Sequence, residues 1–401
     1  MIMASVKVKF RPSAVDGQEG AVYYQIIHER RVRQLLSEFR VLPEEWCAER
    51  STVTAAVSGR REYVAAVREG VRRDMERLSR IERRLEDLSV GYSAEDIVEE
   101  FKRYGEEYTL SALMRRLIAR FQESGRVRTS ESYRATLNSF TRFREGQEVV
   151  VDCLTADVME AYEGWLRLRG VVLNTSSFYA RVLRAVYNRA VESGLTEDRH
   201  PFRRVYTGVE KTVKRALPLE LVSRIHNLDL SGMPKLDFAR DMFIFSFCLR
   251  GMSFIDMAFL RKSDLRDGYV VYRRRKTGQL LSIEWTREMQ MILDKYPANE
   301  SGYLLPIISR PVRNERNRYR NVAYNINRSL KMIAGMVGIS MPLTLYVARH
   351  SWASAARSKG IPLSVISEGM GHDSEMTTRI YLASLDTSAV DKANSLILAE
   401  L

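Results

Sequence analysis

Residues 371–382 read GHDSEMTTRIYL, which places His372 directly after a glycine and Tyr381 nine residues further on. Hydroxyl and basic side chains lie between the two, and Ile380 and Leu382 flank the tyrosine. A tyrosine between apolar neighbours is often a core residue, and it can also be a nucleophile. The segment by itself leaves both interpretations open, so the rest of the chain must decide between them.

An apolar segment upstream carries polar side chains at intervals. Residues 246–265, SFCLRGMSFIDMAFLRKSDL, predict a buried helix that bears Arg250, Ser253 and Asp256. On one continuous helix, residues three apart share a face. Arg250 and Ser253 are therefore expected to point in the same direction.

Two further segments each present one basic residue in a defined setting. Residues 269–285, YVVYRRRKTGQLLSIEW, predict a β-hairpin whose turn presents Lys276. Residues 343–360, LTLYVARHSWASAARSKG, predict a helix that carries Arg349 and ends at a glycine C-cap. Each segment alone is weak evidence for a functional site, and the order of the segments along the chain makes the evidence stronger.

The chain has 401 residues, a net charge of +13 and a pI near 9.6. This length predicts two or three domains. A basic surplus favours a polyanionic partner, because cationic groups that displace condensed counterions gain affinity for phosphate backbones. The alternative from charge alone is a protein that is basic without such a partner. No apolar run approaches the ~20 residues of a membrane span, so a membrane is not expected as a partner.

Cysteine and histidine usage points away from metal chemistry. The three cysteines, Cys47, Cys153 and Cys248, are widely separated and odd in number, which fits a reducing cytoplasm better than a disulfide framework. The five histidines show no metal-ligand spacing. The sequence predicts no metal and no other cofactor, and a metal-dependent nuclease is disfavoured.

Hydrophobic patterning divides the chain into four parts. Residues 1–92 predict a small sheet followed by one long amphipathic helix, and residues 93–205 predict a helical unit. Residues 206–217 are basic without clear periodicity and are interpreted as a linker. Residues 218–401 form a further unit. The fold class is therefore multidomain and mainly α-helical with small β-sheets.

Basic residues with hydroxyl and aromatic neighbours are the candidates for phosphate contacts. They are Lys7, Lys9 and Arg11 on the first strand, Arg128 and Arg134 in RTSESYRATLNSFTRFR, and Arg181 and Arg184 in NTSSFYARVLRAVYNRA. Solvated helix faces remain the alternative for the last four.

The order of Lys276 in a hairpin, ARHSWAS, GH and IY resembles the tyrosine recombinase (phage integrase) family. The resemblance covers residues 214–401 and extends more loosely to the helical unit and the N-terminal sheet. It implies an arm-type DNA-binding domain, a helical core-binding (SAM-like) domain and an α+β catalytic domain. The three-part form is similar to integrases of mobile elements in Bacteroides-type bacteria.

The resemblance also implies the roles of individual residues. Tyr381 is the expected nucleophile, Lys276 the general acid, Arg349 a phosphate clamp and His372 a hydrogen-bond donor to a phosphate oxygen. Metal-free DNA cleavage needs such cations, because charge grows on the scissile phosphate. Guanidinium groups meet that charge with a planar two-pronged geometry that lysine lacks.

Two positions depart from the family pattern. Tyr346 stands where a histidine is usual, three residues before Arg349. Ser253 stands where the first arginine is usual, with Asp256 in register as the acidic residue. We expect Arg250, on the same helix face, to supply the missing guanidinium, and the alternative is a site that lacks one arginine.

The leading hypothesis is a site-specific recombinase that integrates or excises a mobile element. Its expected partners are double-stranded DNA at core and arm sites, copies of itself in a tetramer on DNA, and accessory DNA-bending factors, in the cytoplasm on the bacterial nucleoid. A DNA invertase of the same family, a non-catalytic DNA-binding regulator and a type IB topoisomerase are the alternatives. The tail SAVDKANSLILAEL predicts a short helix that either docks on a neighbouring subunit or completes the core.

Overall fold

The computed structural model divides the chain into two compact units, Met1–Glu210 and Lys211–Leu401. The described residues are 4–54, 59–87, 91–210, 215–297, 300–372, 374–383, 394–395 and 397–398. Most of the tail beyond residue 383 and part of the predicted linker lie outside them. The domain boundary at residue 92 falls within the first unit and stays a prediction. Among the described helices, none has the length and apolarity that a membrane crossing requires.

The first unit begins with an antiparallel sheet in the order β1-β2-β3. Its strands are β1 (Ser5–Arg11), β2 (Gly20–His28) and β3 (Arg31–Val41), followed by the short pair β4 (Trp46–Cys47) and β5 (Thr52–Val53). Alternate residues of β2, among them Tyr24 and Ile26, are fully buried. They pack in one core with Leu78 and Ile81 of the long helix α1 (Arg61–Asp87). The predicted strands and amphipathic helix are confirmed.

A helical cluster completes the first unit. Its helices are α2 (Ala94–Glu107), α3 (Leu110–Glu123), α4 (Val127–Phe143), α5 (Ala156–Leu168) and α6 (Leu173–Glu192). A buried ion pair joins α1 to this cluster, since the Nε and Nη2 of Arg77 donate to Asp152 at 3.0 and 2.9 Å. Such a pair is costly to break, because either partner alone would be a buried uncompensated charge. The sheet, α1 and the helices therefore share one unit.

The second unit is mainly helical with one small antiparallel sheet. Its elements are α7 (Leu219–His226), α8 (Pro234–Cys248), α9 (Phe254–Ala258), β6 (Leu265–Arg266), β7 (Tyr269–Arg273), β8 (Leu280–Glu284), α10 (Arg287–Asp294), α11 (Glu315–Met336), α12 (Leu345–Ser358), α13 (Leu363–Met370) and α14 (Glu375–Ala383). Helix α8 is the centre of the core, with Phe243 and Phe245 fully buried, and packs against α11 and α12. The predicted hairpin and the predicted helix around Arg349 are both confirmed.

Candidate active site

The segment predicted as one buried helix is a helix, a tight turn and a second short helix. Helix α8 ends at Cys248, and Arg250 and Gly251 then adopt left-handed backbone angles with φ of 56° and 74°. A methyl group on Gly251 would lie 2.4 Å from the Cα of Arg349. The chain must therefore turn at a glycine to pass α12 closely. Arg250 and Ser253 do not share a helix face, so that prediction was wrong.

Arg349 on α12 is the most enclosed cation of the region, with 4% of its surface exposed. Its Nη1 donates to the carbonyl oxygen of Gly251 at 3.0 Å, and its Nη2 donates to that of Met370 at 2.6 Å. The same Nη2 lies 3.0 Å from Nε2 of His372. These contacts hold the guanidinium rigidly between the turn after α8 and the end of α13.

His372 is oriented from both sides of its ring. Because an arginine can only donate, Nε2 is the acceptor of the Arg349 contact and Nδ1 carries the proton. The Nδ1–H then donates to Oγ1 of Thr378 on α14 at 2.7 Å. Gly371, with a φ of 63°, ends α13 and turns the chain so that the imidazole follows directly. The sequence prediction that His372 and Arg349 belong to one site agrees with this geometry.

Arg274 is a member of the same cluster that the sequence interpretation missed. It is 9% exposed, and its Nη1 donates to the carbonyl oxygen of Gly371, directly beside His372. A signal for it exists in the sequence. Val270 and Tyr272 are buried at alternate positions of β7, and Arg274 continues that alternation onto the same face of the hairpin.

A buried tyrosine reports the electrostatics of this cluster. Burial raises the pKa of Tyr272 well above its usual value, and the nearby Asp256 carboxylate raises it further. The guanidinium groups of Arg349, Arg274 and Arg250 act in the opposite direction. The three arginines thus act on the same buried phenol with the same sign. Arg250 contributes from the turn after α8 and not from a continuous helix.

Lys276 lies exposed in the turn between β7 and β8, as predicted. Two anchors fix this turn. Gly278, with a φ of 74°, donates its N–H to the carbonyl oxygen of Arg274 at 2.7 Å. The buried Asp256 accepts from the backbone N–H of Arg275 at 2.9 Å and from Oγ of Ser253 at 2.6 Å. The acidic residue thus ties the lysine-bearing turn to α9.

Tyr346 and Ser253 line a cavity of about 340 Å³ together with Arg349. Tyr346 is 54% exposed, and its ring meets that of His350 edge to face with centroids 4.7 Å apart. The cavity therefore lies next to Arg349. Arg250 does not contribute to the described lining of this cavity.

Tyr381 belongs to α14 by its backbone, and its side chain lies outside the described part of the chain. The helix around it is held from two directions. Thr378 is fully buried against His372, and Nη1 of Arg357 on α12 donates to the carbonyl oxygen of Leu382 at 3.0 Å. Leu382 is itself 2% exposed. These contacts fix the backbone on each side of the predicted nucleophile.

The residues predicted to contact DNA all belong to the first unit. They are Lys7, Lys9 and Arg11 on β1, Arg128 and Arg134 on α4, and Arg181 and Arg184 on α6. The three on β1 alternate along the strand and so share one face of the sheet. Arg184 donates to Oγ1 of Thr207 at 3.0 Å. Their role in DNA binding stays a prediction.

The chemistry of the described cluster is that of an anion site. Its polar groups are guanidinium, imidazole and hydroxyl groups around Arg349. Among the residues that the structure describes, no group of three or more histidine, cysteine or acidic side chains is arranged to hold a metal ion. A phosphate group suits this cluster, because guanidinium forks are strong charge-assisted donors to it.

Solved structures with a similar fold are integrases. A lambda integrase dimer bound to a COC′ core site superposes with a TM-score of 0.54 at 15% identity, covering 93% of each chain. A lambda integrase tetramer bound to a Holliday junction gives 0.54 at 15% identity, covering 90% of this chain and 92% of the other. The Tn1549 transposon integrase in complex with a circular intermediate DNA gives 0.52 at 14% identity, covering 73% and 99%.

Family models match both units of the chain. Residues 109–205 match the phage integrase SAM-like domain, and residues 249–388 match the phage integrase family. Among curated proteins, none matches the chain. The second match spans the hairpin, Arg349, His372 and α14. The chain therefore belongs to the phage integrase family, the tyrosine site-specific recombinases.

Proposed function

We propose that this recombinase is an integrase that cuts and rejoins double-stranded DNA through a covalent 3′-phosphotyrosine on Tyr381 and so integrates and excises a mobile element. One observation carries the proposal. Arg349 and Arg274 donate to the carbonyl oxygens of Met370 and Gly371, Arg349 also contacts His372, and His372 is hydrogen-bonded to the helix that bears Tyr381. Phosphate donors and the proposed nucleophile thus belong to one constellation.

The clustered cations supply what a phosphodiester transition state needs. Negative charge grows on the non-bridging oxygens as the phosphorus becomes five-coordinate. Each preorganised donor in such a site typically contributes about 3–4 kcal/mol, or roughly a factor of 10²–10³ in rate. Arg349 is one clamp. Arg274 is the second, in the role of the arginine that is absent at Ser253.

Tyr381 and Lys276 carry the proton and bond changes. The phenol, with a usual pKa of about 10, loses its proton to solvent water in a field of guanidinium groups that favours the phenolate. Its oxygen attacks phosphorus, the bond to the 5′-oxygen breaks, and that oxygen takes a proton from Lys276. Rejoining reverses these steps, since a 5′-hydroxyl attacks the phosphotyrosine. The bond energy is conserved, so the cycle needs no nucleotide cofactor.

The scissile phosphate is proposed to lie at Arg349, which lines the cavity and also contacts His372. Tyr346 and Ser253 line the same cavity, and the Tyr346 hydroxyl can donate a hydrogen bond to a phosphate oxygen. Tyr346 thereby fills the place of the usual histidine as a donor. Double-stranded DNA at core and arm sites, a homotetramer on that DNA and accessory bending factors complete the proposal.

Covalent capture tests the proposal directly. Nicked duplexes from the flanks of the mobile element lose the short strand after cleavage and trap the protein on DNA. We expect a protein–DNA adduct on a denaturing gel, and a peptide map that places the DNA on Tyr381. Tyr381→Phe should give none, whereas Tyr324→Phe, on an exposed face of α11, should match the native protein. Specific DNA binding without an adduct would favour the non-catalytic regulator.

A further inference from the structure

The turn that carries Lys276 is short and is closed by its own backbone. Arg275, Lys276 and Thr277 lie between Arg274 and Gly278, and the N–H of Gly278 donates to the carbonyl oxygen of Arg274 at 2.7 Å. Lys276 is exposed in the middle of this turn. A lysine side chain is a flexible stem with a point charge, so it does not by itself hold one position. The direction in which Lys276 extends therefore depends on how the turn is anchored.

Arg275, the residue before Lys276, is anchored at two points. Its backbone N–H donates to Oδ1 of Asp256 at 2.9 Å. Its guanidinium lies over the ring of Phe259, with Cζ 4.1 Å from the ring centroid, which is within the range of a cation–π contact. Asp256 lies on α9, and Phe259 directly follows the last residue of that helix. Contacts from both the backbone and the side chain restrict the rotation of Arg275 as well as its position.

The ring of Phe259 is an oriented platform for this guanidinium. It meets the rings of Tyr303 and Tyr319 edge to face, with centroids 5.6 Å apart in both pairs. The Tyr303 hydroxyl donates to Glu315 at 2.7 Å, at the start of α11. Edge-to-face aromatic pairs are favourable beyond the area that they bury. The turn is thus connected through this aromatic cluster to the packed helices of the second unit.

We propose that Arg275 is a positioning residue, whose contact with the Phe259 ring holds the turn so that the Lys276 ammonium group reaches the leaving 5′-oxygen. The inference rests on the proposed function, in which Lys276 protonates that oxygen. Proton transfer requires a donor within about 2.6–3.2 Å of the acceptor. A displacement of about 1 Å from such a geometry costs roughly 10²-fold in rate. Arg275 acts through Lys276 and touches none of the reacting atoms.

A direct contact between Arg275 and a DNA phosphate is the alternative role for this side chain. Arg275 is exposed, and a guanidinium group has five N–H donors that suit phosphate oxygens. In that role Arg275 would bind DNA or stabilise the charge on the scissile phosphate, and it would not depend on Phe259 or Lys276. The two roles affect different steps of the reaction, so the chemistry of the substrate separates them.

A substrate with sulfur in place of the bridging 5′-oxygen isolates the proton-donation step. The phenolate oxygen of Tyr381 attacks phosphorus, the phosphorus–sulfur bond breaks, and sulfur leaves with the bonding electron pair as a thiolate. A thiolate is a much weaker base than an alkoxide, so its departure needs no proton from Lys276. A defect that is confined to proton donation therefore disappears on this substrate, whereas a defect in folding or in phosphate binding remains.

The assay is the single-turnover rate of adduct formation by the full-length chain, at saturating protein, on nicked duplexes that differ only in this oxygen or sulfur. Arg275→Ala should cleave the oxygen substrate roughly 10–10²-fold more slowly and the sulfur substrate at the native rate. Arg275→Lys should lie between Arg275→Ala and the native protein, because an ammonium group keeps a cation–π contact but lacks the planar shape. Arg266→Ala, at an exposed position on β6, is the control with equal charge change and should match the native protein on both substrates. Thermal melting of each variant confirms that it is folded.

Phe259→Leu tests the other side of the same contact. Leucine keeps an apolar side chain and removes the ring, so Phe259→Leu should also slow cleavage of the oxygen substrate and recover with sulfur. If both side chains act through one contact, the double variant of Arg275→Ala and Phe259→Leu should cleave no more slowly than the slower single variant. Losses that multiply in the double variant would overturn the inference, since the two residues would then act independently.

Two results for Arg275→Ala would overturn the inference as well. One is a native rate on the oxygen substrate. The other is a loss that persists on the sulfur substrate, which would show a direct phosphate contact in place of the positioning role. Lys276→Ala separates these failures from failure of the proposed function, since it should be slow with oxygen and recover with sulfur. If Lys276→Ala stays slow with sulfur, the general acid of the proposed function is refuted, and the role of Arg275 is refuted with it.

Discussion

Replacement of Arg274 by alanine should slow DNA cleavage about as much as the loss of a catalytic group. Arg274 is 9% exposed, and its guanidinium contacts the carbonyl oxygen of Gly371 next to His372. Loss of one preorganised donor costs about 3–4 kcal/mol, so we expect Arg274→Ala to cleave roughly 10²–10³-fold more slowly. Arg274→Lys should restore only part of this loss, because lysine keeps the charge and lacks the fork.

The assay is the single-turnover rate of adduct formation on nicked duplexes at saturating protein. Saturation removes any difference in DNA affinity, so the rate reports the chemical step. Arg266→Ala is the matched control, since Arg266 is an exposed arginine on a neighbouring strand of the same sheet. The control should cleave at the native rate. Thermal melting shows whether each variant keeps its fold.

Arg250→Ala decides between the two candidate arginines. The sequence favoured Arg250 on the premise of a shared helix face, and the structure places it in a turn with a φ of 56°. We expect Arg250→Ala to slow cleavage less than Arg274→Ala. The reverse order, or a native rate for Arg274→Ala, would refute the assignment of Arg274 as the second clamp.

Three other predictions follow from the same region. Gly251→Ala should destabilise the fold and abolish adduct formation, because the new methyl group would lie 2.4 Å from the backbone of α12. Gly268→Ala is the control, since the space around it is open. It should lower the stability in thermal melting by only the roughly 1–2 kcal/mol that a left-handed backbone costs an alanine. Thr378→Val should slow adduct formation about tenfold by leaving the imidazole Nδ1–H without its acceptor, and exposed Thr377→Val should not. The pKa of Tyr272 is raised in the folded protein, so its neutral phenol adds stability that is fully present below pH ~10, the pKa in the unfolded chain. That stability is lost as the pH rises from ~10 toward the pKa of the folded protein. Tyr272→Phe should therefore reduce the alkaline decrease in the free energy of unfolding by about 1.4 kcal/mol per pH unit, measured by denaturation at several pH values.

Local patterns in the sequence determine most of the secondary structure. The long amphipathic helix α1, the strands β1 to β3 and the hairpin that presents Lys276 all follow from spacing that repeats along the chain. Capping residues mark helix starts equally well, since Ser93 and Thr155 accept hydrogen bonds at the N-termini of α2 and α5. These features depend on neighbours in sequence, which is why the sequence alone predicts them.

The composition of the active site depends on tertiary contacts. Arg273, Arg274 and Arg275 are consecutive and chemically identical. Strand alternation puts the middle one on the buried face, and the packing of the hairpin against residue 371 shows that it lies beside His372. The predicted helix ends at Cys248 because of a tertiary contact as well. Gly251 must pass the α12 backbone at close range, and no local pattern records that approach. Periodicity fixes which residues share a face, and the packing of separate elements decides which faces meet.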